Sequence, residues 1–255
     1  MSTQTIERSE KEAAAHAVVS REEWLAARKA LLVEEKRLTR ERDTLSAKRR
    51  ELPWVKVGED YVFEGPQGKV KLADLFQGRS QLIVHHLMFT PGDKEACMGC
   101  SFQADHIEGP LQHIKHHDVM IVAVSRAPWK DIAPFKERMG WDFDWVSSDG
   151  TDFNRDYGVT FTPEEVKSGK INYNFGTSDY LFEELPGLSV FIKDEAGNVY
   201  HTYSTYTRGL EMLIGSFNYL DLTPLGSNEE GDGKDWVRYH DRYAESGKAS
   251  CCKND

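Results

Sequence analysis

Two cysteines separated by two residues are the part of this chain best suited to chemistry. Cys97 and Cys100 follow an apolar run, residues 82–89, and a loop rich in turn residues, 90–96. This pattern predicts a buried strand that leads into a helix beginning near Ser101. A thiol at the start of a helix faces unpaired N–H groups and the positive end of the helix dipole, which can lower a cysteine pKa from ~8.5 to about 3.5–7.5. Two cysteines at this spacing can also close a small disulfide ring, so the pair predicts redox chemistry or half of a metal site.

The position of each cysteine suggests its role. We expect Cys97 to be the attacking thiolate, because it lies nearer the helix start, and Cys100 to resolve the mixed disulfide one turn later. The alternatives are a pair of ordinary thiols, a static disulfide or a zinc site. Structural zinc needs four ligands, and the chain has no second C-x-x-C. His113, His116 and His117 could supply ligands but fall at the far end of the following helix, so we expect no metal. The chain has no glycine-rich phosphate-binding motif, so we expect no nucleotide cofactor.

Two adjacent histidines, His85 and His86, lie in the strand that precedes the cysteines. Neighbouring residues of a strand point to opposite faces of the sheet, so these two cannot form one ligand pair. We expect both to be core histidines satisfied by the backbone.

Composition limits the environment and partners of the chain. Its 255 residues hold 32 Lys and Arg against 42 Asp and Glu, a net charge of −10, which argues against a nucleic-acid surface. The N-terminus has no apolar signal-peptide core, and no segment approaches 18 consecutive apolar residues. We therefore expect a cytoplasmic protein with no membrane partner, in which a C-x-x-C is catalytic or metal-binding.

The order of predicted elements indicates the fold. The run 119–124 is apolar without alternation, as expected of a covered parallel strand, and should pair with 82–89 at the centre of the sheet. This arrangement places the two cysteines at the carboxyl edge of the pair. A helix, a strand at 145–148, a hairpin of 188–192 with 199–203, and a last helix at 210–220 follow. The order β-α-β-α-β, hairpin, helix is that of a three-layer, thioredoxin-like α/β fold.

A long helix is predicted ahead of this domain. Ser20 and Glu23 form a capping box, and an apolar residue recurs every seven positions along the helix. These stripe residues are Trp24, Leu31, Leu38 and Leu45. We expect the stripe to pack on the protein's own domain, with a homodimer through this helix as the alternative.

The predicted organisation has four parts: a frayed N-terminus at 1–19, the amphipathic helix at 20–52, the thioredoxin-like domain at 53–225, and an acidic linker and tail at 226–255. The tail carries Cys251 and Cys252. An inert tail is the favoured interpretation of these two cysteines, over a flexible arm that returns a thiol to Cys97.

Nine segments together resemble one bacterial family. The chain is similar to the DUF899 family over residues 17–243, in the segments 19–25 (VSREEWL), 52–55 (LPWV), 97–102 (CMGCSF), 124–128 (VSRAP), 138–141 (RMGW), 145–148 (WVSS), 152–154 (DFN), 185–191 (LPGLSVF) and 201–206 (HTYSTY). The resemblance implies a thioredoxin-like fold and a dithiol–disulfide oxidoreductase activity. The partners would then be a disulfide-containing substrate or a reductant protein.

Two further residues are candidates for supporting the dithiol. Arg126 follows the carboxyl end of the 119–124 strand, the edge at which open α/β sheets bind ligands, and could stabilise a thiolate or hold an anion. The alternative is an exposed arginine paired with an acid. Pro186 precedes the 188–192 strand, roughly where thioredoxin-like proteins place a cis-proline facing the dithiol, although an ordinary trans proline fits the sequence nearly as well.

Two other functions remain open. A peroxiredoxin-like thiol peroxidase is suggested by residues 149–158, but its P-x-x-x-T-x-x-C motif is not met, because Thr90 and Lys94 replace the proline and the threonine. The second is a non-enzymatic redox-sensing or interaction protein, in which the dithiol only switches a surface presented by the long helix.

Overall fold

The structure, a computed structural model, describes residues 16–227 and 236–243. The helices of these ranges are α1 (Arg21–Arg50), α2 (Met98–Ala104), α3 (Glu108–His116), α4 (Trp129–Arg138), α5 (Phe153–Asp156), α6 (Pro163–Lys167) and α7 (Gly215–Leu220). The strands are β1 (Val55–Lys56), β2 (Val62–Gly65), β3 (Gly68–Lys71), β4 (Gln81–His86), β5 (Val119–Ser125), β6 (Asp144–Ser147), β7 (Ile171–Tyr173), β8 (Gly176–Ser178), β9 (Gly187–Lys193) and β10 (Val199–Tyr206). Short 3₁₀ helices span Leu72–Phe76, Thr207–Leu213 and His240–Arg242.

Eight of the described strands form one sheet, in the order β1-β10-β9-β4-β5-β6-β2-β3. The central strands β4 and β5 are parallel, as the sequence predicts, with Leu82 opposite Met120 and His86 opposite Val124. β6 continues the parallel set beside β5, whereas β9 runs antiparallel to β4 and pairs with β10 in the predicted hairpin. Since consecutive residues of β4 and β5 are buried, both faces of the sheet centre are covered.

Each face of the sheet has its own hydrophobic core. On one face, the helices α2, α3 and α4 cover a cluster that includes Ile121, Ala123 and Trp145. On the other face, α5 and the Leu72–Phe76 turn cover a cluster that includes Val84 and Val122. Helices on both sides of a mixed sheet give the three-layer, thioredoxin-like α/β fold predicted from the element order.

Three regions differ from the sequence prediction. The helix after the cysteines is two helices, α2 and α3, separated at residues 105–107, so Pro110 lies in the first turn of α3, where its missing N–H costs little. The last helix is likewise divided into the Thr207–Leu213 turn and α7. Residues 149–184 show no clear helix or strand pattern in the sequence, yet they contain α5, α6 and the small two-stranded sheet of β7 and β8.

The described residues fall into two units by contact, 16–53 with 219–227, and 54–218 with 236–243. In the first unit, α1 begins as predicted, with the reciprocal capping box of Ser20 and Glu23. No residue of α1 is buried. The predicted frayed N-terminus lies mostly outside the described residues, and Cys251 and Cys252 lie wholly outside them.

Candidate functional site

Cys97 lies at the junction between β4 and α2. Its backbone N–H donates to the carbonyl of Met88, 2.8 Å away, which ties it to the chain leaving β4. Its own carbonyl accepts the first hydrogen bond of α2 from the Ser101 N–H at 2.8 Å, and also accepts from the Ser101 hydroxyl at 2.9 Å. Cys97 is therefore the N-cap residue of α2, with its side chain half-buried. The sequence predicts this position, at the carboxyl edge of the central strands.

Cys100 lies one turn further along α2 and is buried, with 3% of its surface exposed. The two cysteines are thiols and are not joined by a disulfide. The hydrogen bond between the Cys97 and Cys100 side chains, together with burial and the charges of Cys97 and Glu184, raises the pKa of Cys100 well above its ordinary value. A Cys100 thiol that keeps its proton can donate a hydrogen bond to the Cys97 sulfur, which stabilises negative charge there.

A buried acid, Glu184, lies close enough to Cys100 to raise the pKa of that thiol. Its side chain is 5% exposed and forms an ion pair with Arg126, with 3.3 Å between Arg126 Nη1 and Glu184 Oε1. Burial raises the pKa of Glu184 to about 7, although Arg126 and a hydrogen bond from Thr90 act in the opposite direction. A carboxyl group with a pKa near neutrality can accept and return a proton at cellular pH.

The C-terminal segment 236–243 holds the loop that precedes the dithiol. The Tyr239 hydroxyl donates to the carbonyl of Ala96, directly before Cys97, at 2.6 Å. Glu95 accepts hydrogen bonds from the guanidinium groups of Arg138 and Arg242, the latter with Nη1 at 3.0 Å. The loop is therefore fixed by Arg138, 43 positions away in sequence, and by Tyr239 and Arg242, 143 and 147 positions away.

The family model described as "Bacterial protein of unknown function (DUF899)" matches residues 13–243. The chain belongs to the DUF899 family. This confirms the resemblance found in the sequence. Comparison with curated protein sequences gives no match.

Solved structures similar to this DUF899 chain include redox proteins, at low identity. Peroxidoxin BcpB of Mycobacterium tuberculosis is 15% identical, with a TM-score of 0.43, over 66% of this chain and 97% of its own. Peroxiredoxin Q of Xanthomonas campestris is 14% identical, with a TM-score of 0.44, over 66% and 97%. A protein provisionally assigned as thiol:disulfide interchange protein DsbE, from Chlorobium tepidum, is 17% identical, with a TM-score of 0.39, over 65% and 97%. At these TM-scores, none of them bears on the activity of the DUF899 chain.

Arg126 directly follows β5, at the carboxyl edge of the sheet, and forms an ion pair with Glu184. Arg126 is partly exposed and paired with an acid, which is one of the two sequence interpretations, and its role toward a thiolate or an anion stays a prediction. The sequence does not predict Glu184 as a site residue. It directly follows Glu183 in a stretch without apolar periodicity, and its burial accompanies an isolated β-bridge to Thr160.

Pro186 is a trans proline, because no cis peptide bond occurs in the described ranges. Its carbonyl accepts a hydrogen bond from the Tyr173 hydroxyl at 2.5 Å. The next residue, Gly187, has no room for a side chain, since a Cβ there would lie 2.8 Å from Val159 and 2.9 Å from Tyr206. The Pro186–Gly187 corner is thus packed tightly against its neighbours.

His85 and His86 point to opposite faces, as predicted, and both are buried. The prediction that the backbone satisfies them is wrong. His86 Nε2 pairs with the Ser189 hydroxyl at 2.9 Å. Its Nδ1 has no hydrogen-bond partner among the described residues. The His85 ring interacts with the Gln103 side chain, which opposes the effect of burial on its pKa. Burial lowers the pKa of His85 to about 4 and of His86 to about 3, so both rings are neutral.

Within 16–227 and 236–243, no group of three or more His, Cys, Asp or Glu side chains is arranged to hold a metal ion. None of the helices in the same ranges combines the length and the apolar character needed to cross a membrane.

Proposed function

We propose that this protein is a dithiol–disulfide oxidoreductase, with Cys97 as nucleophile and Cys100 as resolving thiol. The observation that carries the proposal is the asymmetry of the pair. A half-buried thiol caps a helix, and a buried thiol of raised pKa donates to it. The half-buried Cys97 can meet a substrate, while the buried Cys100 can react only with its neighbour.

The reaction would run in two exchange steps. The Cys97 thiolate attacks one sulfur of a substrate disulfide, the substrate S–S bond breaks, and one substrate thiolate leaves. Cys100 then loses its proton to the Glu184 carboxylate and attacks Cys97 Sγ. This step releases the second substrate thiol and forms the Cys97–Cys100 disulfide. A thiol or dithiol reductant returns two electrons to that disulfide before the next turnover.

The same proposal defines the substrate, the electron donor and the cellular location of the protein. Its substrate would be a disulfide-containing protein or small molecule, and its electron donor a reductant protein of the cytoplasm, where disulfides are short-lived. Arg126 would keep Glu184 in place beside the dithiol. Neither a nucleic acid nor a membrane is part of the proposal, and no cofactor is required.

The test measures the reactivity of each cysteine separately. At pH 7, Cys97 should react with iodoacetamide faster than Cys100, measured by mass spectrometry of quenched samples. Cys97→Ser should abolish the reduction of insulin or glutathione disulfide, whereas Cys100→Ser should accumulate a mixed disulfide through Cys97. The matched control is Ser101→Ala, which changes α2 beside the dithiol without removing a sulfur. Equal, slow labelling of both thiols, at the rate of free cysteine, would contradict the proposal.

A thiol peroxidase is the second candidate, because a single half-buried thiol follows a loop from β4, with Arg126 at the same sheet edge. In the peroxidase reaction, hydrogen peroxide would oxidise Cys97 to a sulfenic acid. The Cys100 thiol would then condense with this sulfenic acid to form a disulfide, with release of water. Peroxide consumption that exceeds disulfide reduction would favour the peroxidase. A protein that cycles once and turns over neither substrate would be a redox sensor.

A further inference from the structure

A cavity of about 400 Å³ lies on the sheet face opposite the dithiol. Tyr157, one of its wall residues, packs in the core that contains Val84 and Val122, whereas Cys100 packs with Ile121 and Ala123 on the other face. The proposed oxidoreductase chemistry does not use this cavity. Its volume lies within the range of small-molecule sites, about 300–1,000 Å³.

The wall of the cavity combines aromatic rings with one carboxylate. Tyr61, Tyr157, Phe175 and Tyr206 supply the rings, and Asp156 supplies the charge. The Tyr61 hydroxyl donates to Asp156 Oδ2 at 2.5 Å, so the carboxylate is held in one position. Phe175 and Tyr206 meet edge to face, with ring centroids 5.4 Å apart. Aromatic faces beside a fixed carboxylate attract organic cations.

The hydrogen-bonding groups of the wall point to the same class of ligand. The Tyr61 proton goes to Asp156, and the Tyr206 hydroxyl donates to the carbonyl of Tyr157 at 2.9 Å. His201 Nε2 lies 2.8 Å from the Ser204 hydroxyl and 3.0 Å from the carbonyl of Tyr203, so this ring nitrogen is engaged within the protein. Burial lowers the pKa of His201, so the ring does not repel a cation.

The hydroxyl protons of Tyr61 and Tyr206 are therefore donated within the protein, and the oxygen lone pairs of both hydroxyls remain for a ligand. The other polar residues of the wall are Asn172 and Asn174, whose amides can offer either oxygen or nitrogen, and the exposed Lys56. A ligand rich in donors fits this wall, whereas an anion would meet the Asp156 carboxylate. We propose that the cavity binds a small organic cation carrying an ammonium group.

The test compares two probes of nearly the same shape, n-butylammonium and its neutral isostere n-butanol, by saturation-transfer NMR and titration calorimetry on the full chain. The ammonium ion should bind at least tenfold more tightly than the alcohol. Asp156→Asn should weaken ammonium binding at least tenfold. Asp152→Asn, an equal change of charge at an exposed position in the preceding residues, should leave it unchanged. Because the cavity is separate from the dithiol, the double variant Cys97→Ser, Cys100→Ser should bind as the unmodified protein does.

A second variant covers the case in which Asp156→Asn fails to fold. Phe175 is mostly exposed, so Phe175→Leu removes an aromatic face without opening the core, and should reduce ammonium affinity several-fold. Equal affinity for the two probes, no measurable binding of either, or equal losses in the Asp156 and Asp152 variants would overturn the proposal.

Discussion

The buried carboxyl of Glu184 makes stability depend on pH in a direction that is unusual for an acid. Burial raises its pKa to about 7, from about 4.5 in the unfolded chain. Between these two pH values the folded protein binds the proton more tightly than the unfolded chain, so stability falls as pH rises. We expect this one residue to cost on the order of 3 kcal/mol at pH 8 relative to pH 4.5.

Glu184→Gln should therefore lose less stability than the unmodified protein between pH 4.5 and 8, as measured by urea unfolding at several pH values. The matched control is Glu183→Gln, since Glu183 is the exposed neighbour in sequence and should keep the unmodified pH profile. If the two variants show the same profile, Glu184 is not the group that titrates. The Gln variant should also resolve the mixed disulfide more slowly, because its amide cannot take the proton from Cys100.

Among single residues, those that could be predicted from sequence are the ones whose chemistry depends on their spacing along the chain. Cys97 and Cys100 could be predicted because two residues between them set one helical turn, and the preceding apolar run set the strand. Glu184 could not be predicted, because its burial depends on pairing with a distant segment. Pro186 occupies the predicted place before β9 but is trans, an isomer that the sequence did not determine.

The central strand β4 carries a second pH dependence, opposite in sign, through its two histidines. Burial lowers the pKa of His86 to about 3, while the unfolded chain titrates near 6.5. As pH falls below 6.5, the unfolded chain takes up a proton that the folded ring refuses, so stability is lost on acidification. At pH 5 we expect His86 alone to account for about 2 kcal/mol of this loss.

His86→Gln should remove that share of the acid-dependent loss, measured as the difference in unfolding free energy between pH 7.5 and pH 5. His113→Gln serves as the control, because His113 is exposed on α3 and should leave the slope as it is. Each variant is compared with the unmodified protein, so the contribution of Glu184 cancels. An unchanged slope in the His86 variant would contradict the prediction.

The elements that could be predicted are those whose pattern is local and strong. The apolar runs of β4 and β5 allow only a buried strand, and the capping box of Ser20 marks the start of α1. The small sheet of β7 and β8 could not be predicted from sequence. Each strand has only three residues, which is too short to show an alternation of apolar and polar residues. The break between α2 and α3 could not be predicted, because apolar residues keep a helical spacing through Ile107. The backbone nevertheless forms two separate helices on either side of residues 105–107.

For the whole molecule, the open question is what covers the apolar stripe of α1. Trp24, Leu31, Leu38 and Leu45 are 52–64% exposed in the single chain. Burying each such side chain contributes about 1.5–3 kcal/mol, so a second copy could gain several kcal/mol by covering the stripe. The stripe recurs every seven residues, but the partner positions Arg28, Glu35 and Arg42 are charged, so a helix pair would meet through a seam narrower than that of a coiled coil. We therefore predict a homodimer through α1.

Sedimentation velocity should give twice the monomer mass for the unmodified protein, and the monomer mass for the double variant Leu31→Lys, Leu38→Lys. The matched control, Ala26→Lys with Ala30→Lys, adds the same two charges to α1 on the side away from the stripe and should remain dimeric. A protein that is already monomeric without any substitution would contradict the prediction. If it then kept its melting temperature after deletion of residues 1–50, the helix would be a detachable arm for a different partner, and the redox-sensing interpretation would gain over the enzyme.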